Sequence, residues 1–310
     1  MRTGYYTHPD CVRHEMGEDH PECPARLAAI EDRLISAGLD WVLERPQVPL
    51  AQEPQLERAH SALYLAELRD RGGLDEGYAW IDPDTRMNPH TLRAALRAAG
   101  AAVAATDAVL DGRLDNAFCA VRPPGHHATH DRAMGFCFIN NVAVAARHAL
   151  DVRGLERVAV VDFDVHHGNG TEDILAGDSR ALMVSFFQHP FYPYSGTEQP
   201  ASNMVNVPLP AYAAGAQVRE VVAHHWLPRL REFAPQMIFI SAGFDAHRED
   251  DMGQMGLVES DYAWITRAIR ELADEVCQGR IVSCLEGGYN LSALGRSVVE
   301  HLRVLAGVEG

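Results

Sequence analysis

Four short segments, scattered over more than half of the chain, carry side chains suited to hydrolytic chemistry. They are Arg122-Pro123-Pro124-Gly125-His126-His127, Asp162-Phe163-Asp164-Val165-His166-His167-Gly168-Asn169-Gly170, Gly243-Phe244-Asp245 and Glu286-Gly287-Gly288-Tyr289. In Asp162-x-Asp164-x-His166 the polar residues recur at the period of two that puts side chains on one face of extended chain, leaving Val161 and Phe163 to pack on the other. Two of these residues, with Asp245 from another segment, would supply an Asp, a His and an Asp. Three protein ligands with an open fourth position suit a catalytic zinc, and two carboxylates make the set hard enough to accept Fe(II) or another divalent ion as well. Taken alone, D-x-D is also what ordinary acidic caps after a strand look like; His166 at the same spacing and a second strand end bearing Asp245 favour a metal.

The other two segments suggest proton transfer and oxyanion binding. Neighbouring His126 and His127 diverge unless the backbone turns sharply, and Pro123, Pro124 and Gly125 are turn residues. Imidazole is the side chain whose ordinary pKa suits proton transfer near neutral pH. With 16 histidines in the chain, chance pairs occur: His224-His225 falls in a predicted helix, and His166-His167 needs only one ligand. Gly287-Gly288 lets the backbone swing the Tyr289 hydroxyl over a metal, where it could donate to a developing oxyanion.

Each segment directly follows a run that reads as a buried strand: Ala117–Val121, Arg157–Val161, Met237–Ala242 and Arg280–Leu285. A further apolar run covers Ala181–Ser185. Helical periodicity marks residues 24–37, 90–111, 140–150, 216–233, 260–276 and 291–305. Continuous apolar strands alternating with helices imply a parallel sheet covered on both faces, and ligands of such sheets sit beyond the strands' carboxyl ends. Residues 187–215 and 245–257 carry little periodicity and read as long functional loops.

Composition narrows the class. With 310 residues, 47% of them hydrophobic, the chain can bury one large core as a single domain spanning 1–310. A net charge of −16 argues against direct nucleic-acid binding through a basic face. Six cysteines without a C-x-x-C pair suggest reduced core thiols. The N-terminus lacks an apolar signal core, and no apolar run approaches the roughly 18 residues of a membrane span. The expectation is a cytoplasmic protein with no membrane association.

Together, R-P-P-G-H-H, D-x-D-x-H-H-G-N-G-T, G-F-D and E-G-G-Y-N, in this order, resemble the zinc-dependent histone deacetylase superfamily, most closely its class II-like bacterial amidohydrolases. The likeness runs from His20-Pro21-Glu22-x-Pro24-x-Arg26 to the last helix. It implies the arginase/deacetylase fold, a central, about eight-stranded parallel sheet flanked by helices. It implies that Asp164, His166 and Asp245 bind one Zn²⁺, and that His127 is the general base and then the acid for the leaving amine. His126 becomes its partner, held by Asp162; Asn169, usual in class II-like members, orients His127 without adding charge; Tyr289 polarises the acyl carbonyl. A structural K⁺ would take Asp162, Asp164, His166, Ser185 and the Phe186 carbonyl. Phe136 and Tyr192 would wall an acyl-lysine tunnel whose rim includes Met252, Gly287 and Asp84, with Asp82 beside it.

The implied reaction removes acetyl or other acyl groups from lysine side chains, of a protein or peptide, or from small lysine-like amines. Met252 stands where polyamine-deacetylating relatives place a glutamate, and the stretch before Ala94 lacks their long insertion. Acetylpolyamine or small-amide hydrolysis is the alternative reading. A binuclear arginase-type site would need further bridging carboxylates, whereas Gly168-Asn169 and Ala246-His247 follow the ligand positions. A silent acyl-lysine reader could dispense with His127 or Tyr289, and both are present. The sequence sets no oligomeric state.

Overall fold

The apolar runs pair as the backbone of one parallel sheet. The computed structural model describes residues 1–309. The strands are β1 (Thr3–Tyr6), β2 (Leu43–Glu44), β3 (Ala79–Trp80), β4 (Arg86–Met87), β5 (Asn116–Cys119), β6 (Val158–Asp162), β7 (Ala181–Gln188), β8 (Met204–Leu209), β9 (Ile238–Ala242) and β10 (Ile281–Leu285). Eight of them form a single sheet in the order β2-β1-β5-β10-β9-β6-β7-β8, and every pairing in it is parallel. β5, β6, β7, β9 and β10 are buried along their whole length, as strands covered on both faces must be.

Helices flank the sheet: α1 (Pro9–Arg13), α2 (Ala25–Ser36), α3 (Glu53–Leu56), α4 (Ala62–Gly72), α5 (Thr91–Leu110), α6 (Asn141–Asp151), α7 (Asn169–Leu175), α8 (Gly215–Val221), α9 (Leu227–Phe233), α10 (Glu259–Cys277) and α11 (Leu291–Ala306). α2, α10 and α11 pack together, and α5 packs with α1 and α6. No helix among the described residues is long and apolar enough to cross a membrane.

Two expectations change. Residues 187–215 are not all loop, because they contain β8. Asn206 and Pro208 break its apolar pattern, and a proline without an N–H is tolerated there because β8 is an edge strand. Nor are residues 216–233 one regular helix: between α8 and α9 the chain makes a π-turn over Val222–Trp226, where Leu227 N–H reaches the Val222 carbonyl. Pro228, in the first turn of α9, cannot donate to the helical ladder, and the slipped turn accommodates it. β1 and β2 escaped the sequence reading because they are short and lack a β-branched run.

The sheet order explains why scattered motifs meet. The strands that precede the four chemical segments, β5, β10, β9 and β6, are consecutive neighbours in the middle of the sheet. Their carboxyl-terminal loops therefore open onto one rim. A small antiparallel pair, β3 with β4, carries the Asp82–Thr85 turn across to that rim.

Candidate active site

At the end of β6 the chain is bent by its own carboxylates. Asp162 Oδ1 accepts the N–H of Asp164 at 3.0 Å, and Asp164 Oδ1 accepts the N–H of His166 at 2.9 Å. Such local bonds are what Asp offers a turning chain. Asp245 Oδ1 accepts from Val165 N–H at 3.0 Å, and Asp164 Oδ2 from Gly287 N–H at 2.9 Å. Glycine is required where the backbones crowd these carboxylates. A Cβ at Gly243 would stand 2.0 Å from Asp164 Oδ2, and one at Gly287 would stand 2.0 Å from Asp245 Oδ2.

Asp164, His166 and Asp245 converge as a buried group whose donor atoms could hold a metal ion, all lying within 4.8 Å of one another. His166 Nδ1 is 3.0 Å from Asp164 Oδ1 and 3.2 Å from Asp245 Oδ2. The second approach lacks hydrogen-bond geometry, so Asp245 Oδ2 is a buried oxygen without a partner. A buried carboxylate oxygen in that state is costly unless a cation meets it. Burial would make His166 less basic, yet the two carboxylates raise its pKa to about 9. Burial and the charge of Asp164 raise the pKa of Asp245 to about 6. Excess negative charge and an unpartnered oxygen fit a divalent cation bound through two carboxylates and an imidazole.

The two histidines of the Pro-Pro-Gly turn are fixed from several sides. Glu286 Oε2 accepts the N–H groups of Gly125 at 2.7 Å and His126 at 3.1 Å, and Gly170 N–H donates to the His126 carbonyl at 3.0 Å. His126 Nδ1 lies 2.9 Å from Asp162 Oδ2, and His127 Nδ1 lies 2.7 Å from Asn169 Oδ1. The Asn169 oxygen can only accept, so His127 carries its proton on Nδ1 and leaves Nε2 as the basic nitrogen. The environments push the pair apart. Burial opposes charge on both, but Asp164 and Asp162 overcome it at His126 and hold its pKa well above the ordinary value. At His127 burial, reinforced by His126 and His166, holds the pKa well below it. The carboxylates thus favour the charged form of His126, while burial favours the neutral form of His127.

Of these groups His127 and His166 reach a cleft of about 690 Å³, with the carboxylates buried behind them. Its walls are aromatic. The Tyr192 ring stands 5.2 Å from that of His127, and Phe136 stands 6.0 Å from Tyr289. Phe136 sits at φ +69°, with its N–H donated to Thr85 Oγ1 at 3.0 Å. A left-handed bulky residue is strained, and the bond from the β3–β4 turn holds it there. Gly135 must be glycine because a Cβ would come 2.5 Å from the His127 ring.

The description of histone deacetylase domains matches residues 20–305 of this chain. The chain belongs to that family. It is 35% identical to a probable deacetylase of Archaeoglobus fulgidus over all of this chain and 87% of that protein. It is 36% identical to a histone deacetylase-like amidohydrolase of Pseudomonas aeruginosa over 91% of this chain and 77% of the other. The crystal structure of an HDA15 deacetylase (HD) domain superposes with a TM-score of 0.93 at 33% identity, covering 99% of this chain and 90% of that one. The arginase/deacetylase fold and a family of hydrolases follow.

The structure gathers most of the residues singled out from sequence. Asp162, Asp164, His166, Asp245, His126, His127 and Asn169 form one connected cluster through the contacts above. Phe136, Tyr192, Met252, Asp84 and Tyr289 line the cleft, as does Asp82. Asp82 also makes the turn: its Oδ1 accepts from Asp84 N–H at 2.9 Å and from Thr85 N–H at 2.6 Å. Gly287 is not among the lining residues; it is buried, with its N–H on Asp164. Ser185 pairs with Asp162 across β6 and β7, with its hydroxyl 3.4 Å from Asn206 Oδ1, while the Phe186 ring stacks on Trp226. His167 turns away from the cluster, its Nε2 2.6 Å from Glu172 Oε2, and His224 and His225 are exposed.

Sequence reasoning missed the supports. Glu286, quoted only as part of a motif, braces the histidine turn, and its second oxygen accepts from Ser241 Oγ at 3.0 Å. Burial raises its pKa to about 7. Glu22 pairs with both Arg26 and Arg122, all three fully buried. Burial would keep Glu22 protonated, but Arg122 foremost holds it well below the usual carboxylate range. Arg26 Nε donates to the Gly288 carbonyl at 2.7 Å. A buried ion cluster adds little net stability over apolar packing; it fixes geometry. Glu22 and Arg26 stand four apart, but Arg122 lies 100 residues from Glu22, a link no spacing could reveal.

Proposed function

We propose that the protein is a zinc-dependent amide hydrolase that removes acetyl or other acyl groups from lysine side chains or lysine-like amines. The observation that carries this reading is the Asn169-oriented His127, which lines an aromatic-walled cleft together with His166 of a buried Asp-His-Asp group. Asp164, His166 and Asp245 would hold the ion, Zn²⁺ first and Fe²⁺ as the other candidate. When bound there, it supplies Lewis-acid chemistry, acidifying a water and polarising an amide carbonyl.

The chain's own residues do the rest. His127 Nε2 takes the proton of the attacking water and returns it to the departing amine. His126, whose charged form Asp164 and Asp162 favour, would add positive charge behind the developing anion. Tyr289 donates its hydroxyl to the acyl oxygen; burial raises its pKa well above the ordinary value, so it stays a protonated donor. Phe136 and Tyr192 exclude water from an aliphatic lysine stem. A K⁺ held by Asp162, Asp164, His166, Ser185 and the Phe186 carbonyl would brace the β6 and β7 ends. All six cysteines are free, which supports a reducing cytoplasmic compartment.

One observation favours small or polycationic amines as a second reading. The cleft is lined by Glu67, Asp82, Asp84, Asp131 and Asp251 against only Arg71 and Arg132. Half-buried Met252 cannot pair an ammonium. A side-by-side assay with zinc-loaded enzyme decides: acetyl-lysine peptides should exceed acetylpolyamines in kcat/KM by about tenfold or more, roughly the worth of one well-placed contact. Preference for the polyamines would shift the substrate assignment, and no turnover of any acylated lysine amide, whatever its acyl group, would remove the reaction class.

A further inference from the structure

Tyr289 stands on a stretch with little rigidity of its own. Gly287 and Gly288 precede it, Gly288 at φ +117°, and α11 starts only after Asn290. Its ring is gripped from two sides, by Arg26 Cζ 4.9 Å from the centroid and by Phe136. Arg26 Nε also donates to the Gly288 carbonyl at 2.7 Å, and Gly287 N–H donates to Asp164, which anchors the approach to Tyr289. The N–H groups of Tyr289 and Asn290 themselves are tied down from another loop.

Asp250 lies in the loop after β9, five residues beyond Asp245, and is buried. Its Oδ2 accepts the N–H of Tyr289 at 2.6 Å and of Asn290 at 2.8 Å, while Oδ1 accepts that of Met252 at 3.0 Å. Asn290 Nδ2 adds a bond to the Glu249 carbonyl at 2.9 Å. Two successive N–H groups aimed at one carboxylate form a small anion nest, and bonds to an ionised acceptor are about twice as strong as neutral ones. The same carboxylate therefore clamps the loop bearing Asp245 to the loop bearing Tyr289.

We propose that Asp250 is a positioning residue that sets the aim of the Tyr289 hydroxyl relative to the Asp164–His166–Asp245 group. The proposal rests on the reading of Tyr289 as the acyl-oxygen donor. It differs from a purely structural role, in which Asp250 only closes a loop. A structural brace would act on stability and on KM through Met252; a positioning residue acts on kcat, and only while the hydroxyl is present.

A double-mutant cycle separates the two, with kcat and KM measured on one acetyl-lysine peptide for zinc-loaded wild type, Asp250→Ala, Tyr289→Phe and the double variant. Tyr289→Phe should lose about 10²–10³ in kcat. Asp250→Ala should lose about 10- to 100-fold in kcat, with little change in KM, since misplacing a group by an ångström costs on that order. The double variant should be within about twofold of Tyr289→Phe alone, because the hydroxyl that Asp250 aims is already gone. Asp250→Asn, whose amide oxygen can still accept from both N–H groups, should recover most of the rate. Amide exchange at Tyr289 and Asn290 should accelerate in Asp250→Ala. If that variant does not fold, Asp250→Ser takes its place in the cycle. Losses that multiply in the double variant, or a loss carried by KM alone, overturn the proposal. Near-normal kcat in Tyr289→Phe would instead remove the tyrosine's role, and the proposal with it.

Discussion

Replacing Asp164, His166 or Asp245 by alanine, one at a time, should strip the metal and abolish amide hydrolysis. Three protein ligands leave no redundancy: each removal leaves two donors, fewer than a catalytic zinc keeps. The three are not equivalent in what else they hold. Asp164 bonds the N–H groups of His166 and Gly287, and Asp245 bonds Val165 N–H, so each carboxylate also shapes the loop of another ligand. Loss of such supports typically costs a further 10- to 100-fold or so in metal affinity. His166→Ala is the cleanest of the three, because it removes a ring and leaves the carboxylates' backbone bonds in place. Zinc content per chain, measured on the same samples as the rates, checks the expectation. Full zinc occupancy in Asp245→Ala would take that residue out of the ligand set.

His127→Ala should lose about 10²–10⁴ in kcat, the usual worth of a general acid–base group. At about 1.4 kcal/mol per tenfold, that is roughly 3–6 kcal/mol of barrier. His126→Ala should lose less. The difference lies in their partners: Asn169 gives His127 a hydrogen-bonded but uncharged neighbour, whereas Asp164 and Asp162 raise the His126 pKa and favour its charged form. His126→Ala removes a stabilising charge and leaves the transferring nitrogen in place. Steady-state kinetics on one acyl-lysine substrate distinguishes the roles. Equal losses, or a larger loss at His126, would reverse them.

The chemistry of the site was legible because its residues announce themselves by type and short spacing. Asp162, Asp164 and His166 follow an apolar strand at a spacing of two, although β6 ends at Asp162 and the chain bends over residues 164–166 instead of continuing extended. The strand ends before Gly243, Glu286 and Arg122 were equally visible, since apolar runs in a parallel sheet end abruptly where the rim begins. What connects them was not visible. Glu286 reaches back about 160 residues to Gly125 and His126, and Glu22 reaches about 100 forward to Arg122. A single acidic residue with a distant partner has no periodicity to betray it. β8 failed for the opposite reason: Asn206 and Pro208 are poor strand formers, tolerated because β8 lies at the edge and exposes part of its length. Gly287 read as a rim residue because it adjoins the tyrosine; its place is set by the room that the Asp164 and Asp245 carboxylates need.

The central claim is that one metal ion, held by Asp164, His166 and Asp245, makes this chain an acyl-lysine hydrolase. Titrating metal-free protein with Zn²⁺ while following release of acetate from an acetyl-lysine peptide tests it most directly. Without metal there should be no turnover; the rate should then rise in proportion to occupancy and saturate at one ion per chain. Undiminished hydrolysis by the metal-free protein, or no turnover of any acylated lysine amide at full occupancy, would contradict it.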